Sequence, residues 1–130
     1  MNNLQSTQPH PSLVIDLKKN RIRIHKRTLH MLGDPEYVQF LVNPERKSIA
    51  VRSSISQDYL AQKIKWPLLT GKQCCEFYSK YLLKSLRGVC FDLEDAHSYR
   101  ITGLLIKEEN LVTFDMDNSI LIDGEEYSED

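Results

Sequence analysis

Residues Arg21-Ile22-Arg23-Ile24-His25 alternate basic and apolar side chains without a break. An extended backbone sends successive side chains to opposite faces, so Ile22 and Ile24 share one face and Arg21, Arg23 and His25 the other. A helix would scatter the same residues around its girth. The segment therefore demands a strand with its isoleucines on a core and its cations turned away from it. Ser12 to Leu17, with Leu13, Val14, Ile15 and Leu17, reads as a second short strand of the buried kind, and Lys18-Lys19-Asn20 as the basic turn between the two.

A short helix is expected over residues 26–32, with Leu29 and Leu32 three apart on its inner side. Gly33 can adopt the left-handed conformation that ends it, and Pro35 prevents its continuation. Tyr37 to Val42, rich in β-branched and aromatic residues, and Ser48 to Arg52 then read as two strands joined by the turn Asn43-Pro44-Glu45-Arg46-Lys47.

The text from Asp16 to Arg52 resembles the AbrB/SpoVT-type and MraZ-type swapped-hairpin DNA-binding family. The matching residues are Asp16, Asn20-Arg21, Ile22, Ile24-His25, Leu29, Leu32-Gly33 and the two strands of the following hairpin, about a quarter to a third of the chain. Asn20 stands where that family usually has glycine, and His25 where it has the proline that starts the short helix. The resemblance implies a module that dimerises by interleaving hairpins and contacts DNA through arginines of its turn and second strand. Carried over by position, those are Arg21 and Arg23, flanked by Lys18 and Lys19.

Beyond a polar connection from Ser53 to Asp58, the lone Trp66 is expected in the core. An amphipathic helix is expected over residues 71–87. Thr70 and Gln73 form a capping box, Gly88 stands at the C-cap, and Cys74, Phe77, Tyr78, Tyr81, Leu82 and Leu86 make an apolar stripe. Lys72, Glu76, Lys80 and Lys84 recur on the wet side, with a Glu76–Lys80 ion pair. Val89 to Leu93, Tyr99 to Ile106 and Leu111 to Met116 read as strands, the last two as a hairpin through Lys107 to Asn110. Gly103, inside the middle one, signals a bulge or a close approach.

The resulting expectation is an α+β fold in one domain: a mixed or antiparallel sheet, the capped helix 71–87, the short helix 26–32, and a helix-then-hairpin order that echoes itself in the second half. Residues 1–11 read as a flexible arm, 12–117 as the domain (a basic part 12–52, a helix and acidic β part 70–117), and 118–130 as an acidic tail. The chain of 130 residues fits one domain.

Charge is segregated along it. Met1 to Arg87 holds 15 Lys and Arg against 6 Asp and Glu, a balance of +9, and Gly88 to Asp130 holds 2 against 12, a balance of −10. Such asymmetry points to a polyanion-facing part and an acidic part. No apolar run approaches the roughly 20 residues of a membrane span, no signal-peptide pattern opens the chain, and three cysteines make no disulfide framework, so a cytoplasmic location is expected. Asp92, Glu94, Asp95 and His97 lie close together, but no partner motif completes a catalytic site. The cysteine and histidine spacing fits no zinc site, and neither an enzyme, a metal nor a cofactor is expected.

The function expected from these features is a small, dimeric DNA-binding regulator or DNA-associated accessory protein of bacterial or mobile-element type. Its phosphate contacts would come from Lys18, Lys19, Arg21, Arg23, Lys26 and Arg27, supported by Arg46 and Arg52. The alternative is a non-enzymatic protein-interaction or self-assembling scaffold protein driven by the basic and acidic halves.

Overall fold

A computed structural model describes residues 10–89 and 93–123 of the chain. Among these residues nine strands make one sheet: β1 (Ser12–Asp16), β2 (Arg21–His25), β3 (Tyr37–Asn43), β4 (Ser48–Ser54), β5 (Gln62–Lys63), β6 (Cys74–Tyr78), β7 (Ser98–Ile106), β8 (Leu111–Asp115) and β9 (Ile120–Leu121). Two α-helices accompany it, α1 (Lys26–Met31) after β2 and α2 (Lys80–Val89) after β6. Neighbours run β5-β3-β4-β8-β7-β1-β2-β6, with β9 also on β7, and every pairing is antiparallel.

The α+β expectation is thus corrected to a strand-dominated, antiparallel β fold in which α2 is the only helix of more than two turns among the described residues. The helix expected over 71–87 does not begin until Lys80. From Cys75 to Tyr78 burial has a period of two, with Cys75 and Phe77 buried and Glu76 and Tyr78 exposed, and residues 74–78 pair with β2 as a strand. The capping box of Thr70 and Gln73 is therefore absent. Ser79 caps instead, its Oγ accepting from Leu82 N at 3.1 Å. The Glu76–Lys80 pair goes with it, because i,i+4 neighbours meet only on a helix. The short helix expected over 26–32 forms as α1, and Gly33 follows it at φ +84°. The strand expected over Val89 to Leu93 falls largely on residues 90–92, outside the described residues, and Val89 itself ends α2.

Register explains the core. Across β7, β1, β2 and β6 the inward rows read Tyr99–Ile15–Ile22–Phe77 and Ile101–Leu13–Ile24–Cys75. In the other half Ile49 faces Phe114 and Val51 faces Val112. Leu29 and Leu32 of the α1 region and Leu82, Leu83 and Leu86 of α2 complete one cluster. The sheet curls into a half-barrel far enough that Phe40 of β3 meets Phe77 of β6 edge-to-face, with centroids 5.1 Å apart, although five strands separate them in the pairing order.

β7 carries the curl. Ser98 to Thr102 pair with β1, and Gly103 to Ile106 pair with β8. A Cβ on Gly103 would sit 2.6 Å from the Phe114 ring and 2.8 Å from Thr113 O, so glycine permits the close approach. Trp66 packs at the edge of the core, donating from Nε1 to Pro35 O at 2.9 Å and stacking on His30. No helix of the described residues is long and apolar enough to cross a membrane.

Candidate functional site

The side chains expected to meet DNA are placed as follows. Lys18 and Lys19 are exposed on the β1–β2 turn, which Asp16 Oδ1 closes by accepting both their main-chain N–H groups at 3.0 and 3.2 Å; Asn20 completes the turn at φ +56°. Arg21 donates from Nε to Asp16 Oδ2 and from Nη1 to Glu76 Oε2, each at 2.9 Å. Arg23, only 6 % exposed, has Nε 3.4 Å from the same Glu76 oxygen. Arg52 donates from Nε to Gln39 Oε1 at 2.9 Å, and Lys26 from Nζ to Leu69 O at 3.0 Å. Arg27 is half-buried on α1, and Arg46 is exposed on the β3–β4 turn.

The fold gathers Arg21 and Arg23 on one carboxylate and separates the others: Lys18–Lys19 and Lys26–Arg27 stand at opposite ends of β2, about 17 Å of strand apart. Burial pushes the Asp16 carboxyl up, but the Arg21 guanidinium, the Lys19 N–H and the Ser98 hydroxyl outweigh it and hold it below its ordinary range. Asp16 and Arg21 therefore act as a closed structural pair.

Glu94, Asp95 and His97, the described part of the acidic cluster before β7, have partners of their own. His97 Nδ1 is hydrogen-bonded to Asp123 Oδ2, and its Nε2 lies 3.4 Å from Glu94 Oε1, while Asp95 pairs with Arg87 at 3.0 Å. The His97 hydrogen bond lowers the Asp123 pKa first, against burial and helped by the Ser98 N–H. Cys90 and Asp92 lie outside the described residues. Among the described residues no group of three or more His, Cys, Asp or Glu is placed to hold a metal ion.

What sequence reasoning missed is the place where the curl fails to close. β6 and β5 are the two ends of the strand order, and they wall a cavity of about 340 Å³ that includes Lys63, Lys65, Lys72, Leu69, Glu76 and Phe77. Lys26 N donates to Gln73 O at 2.7 Å, one rung beyond the His25–Cys74 partners. In an antiparallel pair bonded and non-bonded residues alternate, so Cys75 and Phe77 bond β2 while the main-chain groups of Glu76 and Tyr78 point into the gap. On the opposite wall Ile64 N donates to Glu36 O at 2.8 Å, which places Lys63, the residue between the bonded positions 62 and 64, with its main-chain groups facing outward.

The two walls are unequal to what β1 does elsewhere. β1 has five residues, five partners on β7 and four on β2, whereas β5 has two residues and, among the described residues, pairs with β3 alone and has no rung to β6. At Gln62 the cavity adjoins a second one of about 470 Å³, an apolar groove between β3 and α2 bordered by Leu41, Tyr59, Leu60 and Tyr81. All four of these side chains are exposed, Tyr59 at 77 % and Tyr81 at 68 %. Cys75 lies in the seam wall, but burial, with the neighbouring Glu76 charge, pushes its thiol up to about 11, so it is neither a nucleophile nor a ready metal ligand. The sequence signal was weak, because a two-residue strand has no periodicity.

Comparison of the chain with protein-family models, with curated proteins and with solved structures finds no match in any of the three.

Proposed function

We propose that this protein is a non-enzymatic protein-interaction module that accepts an extended segment of another polypeptide along the free edge of β6. The observation that carries the reading is the seam: outward main-chain donors and acceptors at Glu76 and Tyr78 face a cavity, with no neighbouring strand among the described residues. An unpaired strand edge is a template for a further strand, and proteins that do not use one usually cover or charge it. Strand addition is a recurrent mode of peptide recognition in which main-chain bonds supply affinity and alternate side chains supply choice. The adjoining apolar groove supports the same reading, because a contiguous exposed apolar patch marks an interaction surface more often than a solvated one.

The DNA-binding reading has less support from the geometry. Arg21 and Arg23, the pair implicated by the family resemblance, direct their guanidinium groups to Asp16 and Glu76 and are largely buried. Counterion release needs cations that reach phosphates, and of the eight side chains expected to do so the ones that are exposed, Lys18, Lys19 and Arg46, lie on two different turns.

Panning of displayed random peptides against the folded protein, followed by an electrophoretic shift on random duplex DNA at low salt, separates the two. The expected result is enrichment of β-prone peptides that slow amide exchange at Glu76 and Tyr78. A salt-dependent duplex shift that Arg21→Ala/Arg23→Ala abolishes, with no peptide enriched, would replace this reading by the nucleic-acid one.

A further inference from the structure

Resting on the strand-accepting reading above, we infer that the segment taken by the seam is an acidic amphipathic strand, with carboxylates alternating with apolar residues and a bulky apolar residue at its N-terminal end.

The alternation follows from the two walls. On β5 and its continuation, Ile64 is turned to the core at 2 % exposure, and Lys63 and Lys65, two residues apart, are turned to solvent. On β6, Phe77 and Cys75 are turned inward, and Glu76 and Tyr78 outward. A strand lying between them has its own side chains divided in the same way. Its inward set meets Phe77, Cys75 and Leu69, an apolar floor. Its outward set comes level with Lys63 and Lys65, with Lys72 at the far end of the cavity.

The charge of that outward set is decided by what is already paired. Among the described residues Glu76 is the sole acidic member of the wall, and Arg21 and Arg23 both hold it from the β2 side. The three lysines are exposed, and none of them has an ion pair among the described residues. Carboxylates placed opposite them gain cross-strand attraction, and lysines in the same positions meet like charge directly opposite.

Direction follows from topology. Antiparallel pairing along the whole order leaves β5 and β6 running in opposite senses, so an added strand can be antiparallel to only one of them. Antiparallel addition to β6, which has the longer free edge, makes the segment run from the Tyr78 end toward the Cys74 end. Its N-terminal end then lies where the cavity passes Gln62 into the groove of Leu41, Leu60 and Tyr81, which accepts an apolar side chain. Its later residues lie beside Lys65 and Lys72.

The test is fluorescence anisotropy of the full chain with fluorescein-labelled short peptides: leucine followed by alternating valine and glutamate, the same peptide with glutamine for glutamate, and the same with lysine. A fourth carries N-methyl groups at alternate main-chain nitrogens of the acidic peptide. The acidic peptide is expected to bind roughly tenfold more tightly than the lysine peptide at low salt, from a few exposed ion pairs of modest strength. N-methylation at the bonding positions should abolish its binding. The Lys63→Glu/Lys65→Glu variant, altered only at exposed side chains, should reverse the charge preference while unfolding at an unchanged temperature.

Equal binding of acidic, glutamine and lysine peptides would overturn the charge inference and leave the strand-accepting reading standing. Binding of no peptide would overturn both. A dimer in sedimentation without peptide, dissolved by Lys63→Glu/Lys65→Glu, would overturn the assignment to a separate partner and put a second copy of this chain in the seam.

Discussion

Arg21 decides whether the basic strand is architecture or binding surface, and Arg21→Gln tests it. Asp16 is 5 % exposed and takes its charged partner from Arg21 Nε at 2.9 Å. The substitution leaves a nearly buried carboxylate with three neutral donors: Lys18 N at 3.0 Å, Lys19 N at 3.2 Å and Ser98 Oγ at 3.2 Å. It also removes one of the two cations that hold Glu76, with Arg23 remaining.

Breaking a fully buried ion pair costs about 3–5 kcal/mol. The retained hydrogen bonds and the partial exposure of Arg21 bring the expectation to about 2–3 kcal/mol, a fall of roughly 10 °C in Tm for a chain of this size. Urea unfolding followed by circular dichroism at neutral pH reads it. The pH dependence supplies a second check. With its pKa held below the ordinary value of 3.8, Asp16 contributes stability that is present above that value and is lost as pH falls through the lower folded pKa. Without Arg21, burial prevails and the carboxyl titrates higher, so the gap between the two proteins should narrow as pH falls below about 4. A cost under about 0.5 kcal/mol at neutral pH, or a gap that stays constant on acidification, would refute the closed-pair reasoning and return Arg21 to the candidates for a ligand contact.

Three further outcomes follow from the same geometry. Gly103→Ala places a methyl against the fully buried Phe114 ring and should cost about 1–3 kcal/mol in thermal unfolding, with Phe114→Leu recovering part of the loss in the double variant. His25 caps α1, its Nδ1 accepting from Arg27 N at 3.0 Å, and burial with the Arg27 charge lowers its pKa; the cap's stability should be present above pH 6.5 and decline as pH falls through the depressed value, and His25→Ala should cost about 1 kcal/mol and flatten that decline in pH-dependent denaturation. Cys75, protonated up to about 11 and buried, should resist iodoacetamide in the folded protein at pH 8 and react only after unfolding in urea, as read by mass spectrometry.

Much of the first half was legible because its signals are local. Arg21 to His25 announces its two faces, Gly33 and Pro35 punctuate α1, and the β3–β4 hairpin forms around Asn43 to Lys47 with Asn43 Oδ1 accepting from Glu45 N and Arg46 N. Lys107 to Asn110 joins β7 to β8 as its turn residues indicate, with Asn110 at φ +53°. The stretch from 70 to 88 was misread because two periodicities abut at Ser79. Cys74, Phe77 and Tyr78 continue the helical spacing of Leu82 and Leu86 on paper, yet Tyr78 and Tyr81 are exposed in the fold, and the buried set of β6 is Cys74, Cys75 and Phe77.

The placement of the cations was legible only in part. Alternation correctly put Arg21 and Arg23 on the face away from Ile22 and Ile24, but the carboxylate that holds them arrives from Glu76, 55 and 53 positions later, by a pairing no local pattern announces. The seam was illegible for the same reason, since it exists only once β5 and β6 have become the two ends of a curled sheet.

Residue-resolved amide exchange at β6 bears most directly on whether that seam is open. In the free protein, the amides of Cys75 and Phe77, bonded to β2, should exchange slowly, and those of Glu76 and Tyr78, turned into the cavity, should exchange fast; addition of the acidic alternating peptide should slow the second pair. Equal protection of all four amides in the free protein would contradict the account, because the β6 edge would then already be occupied.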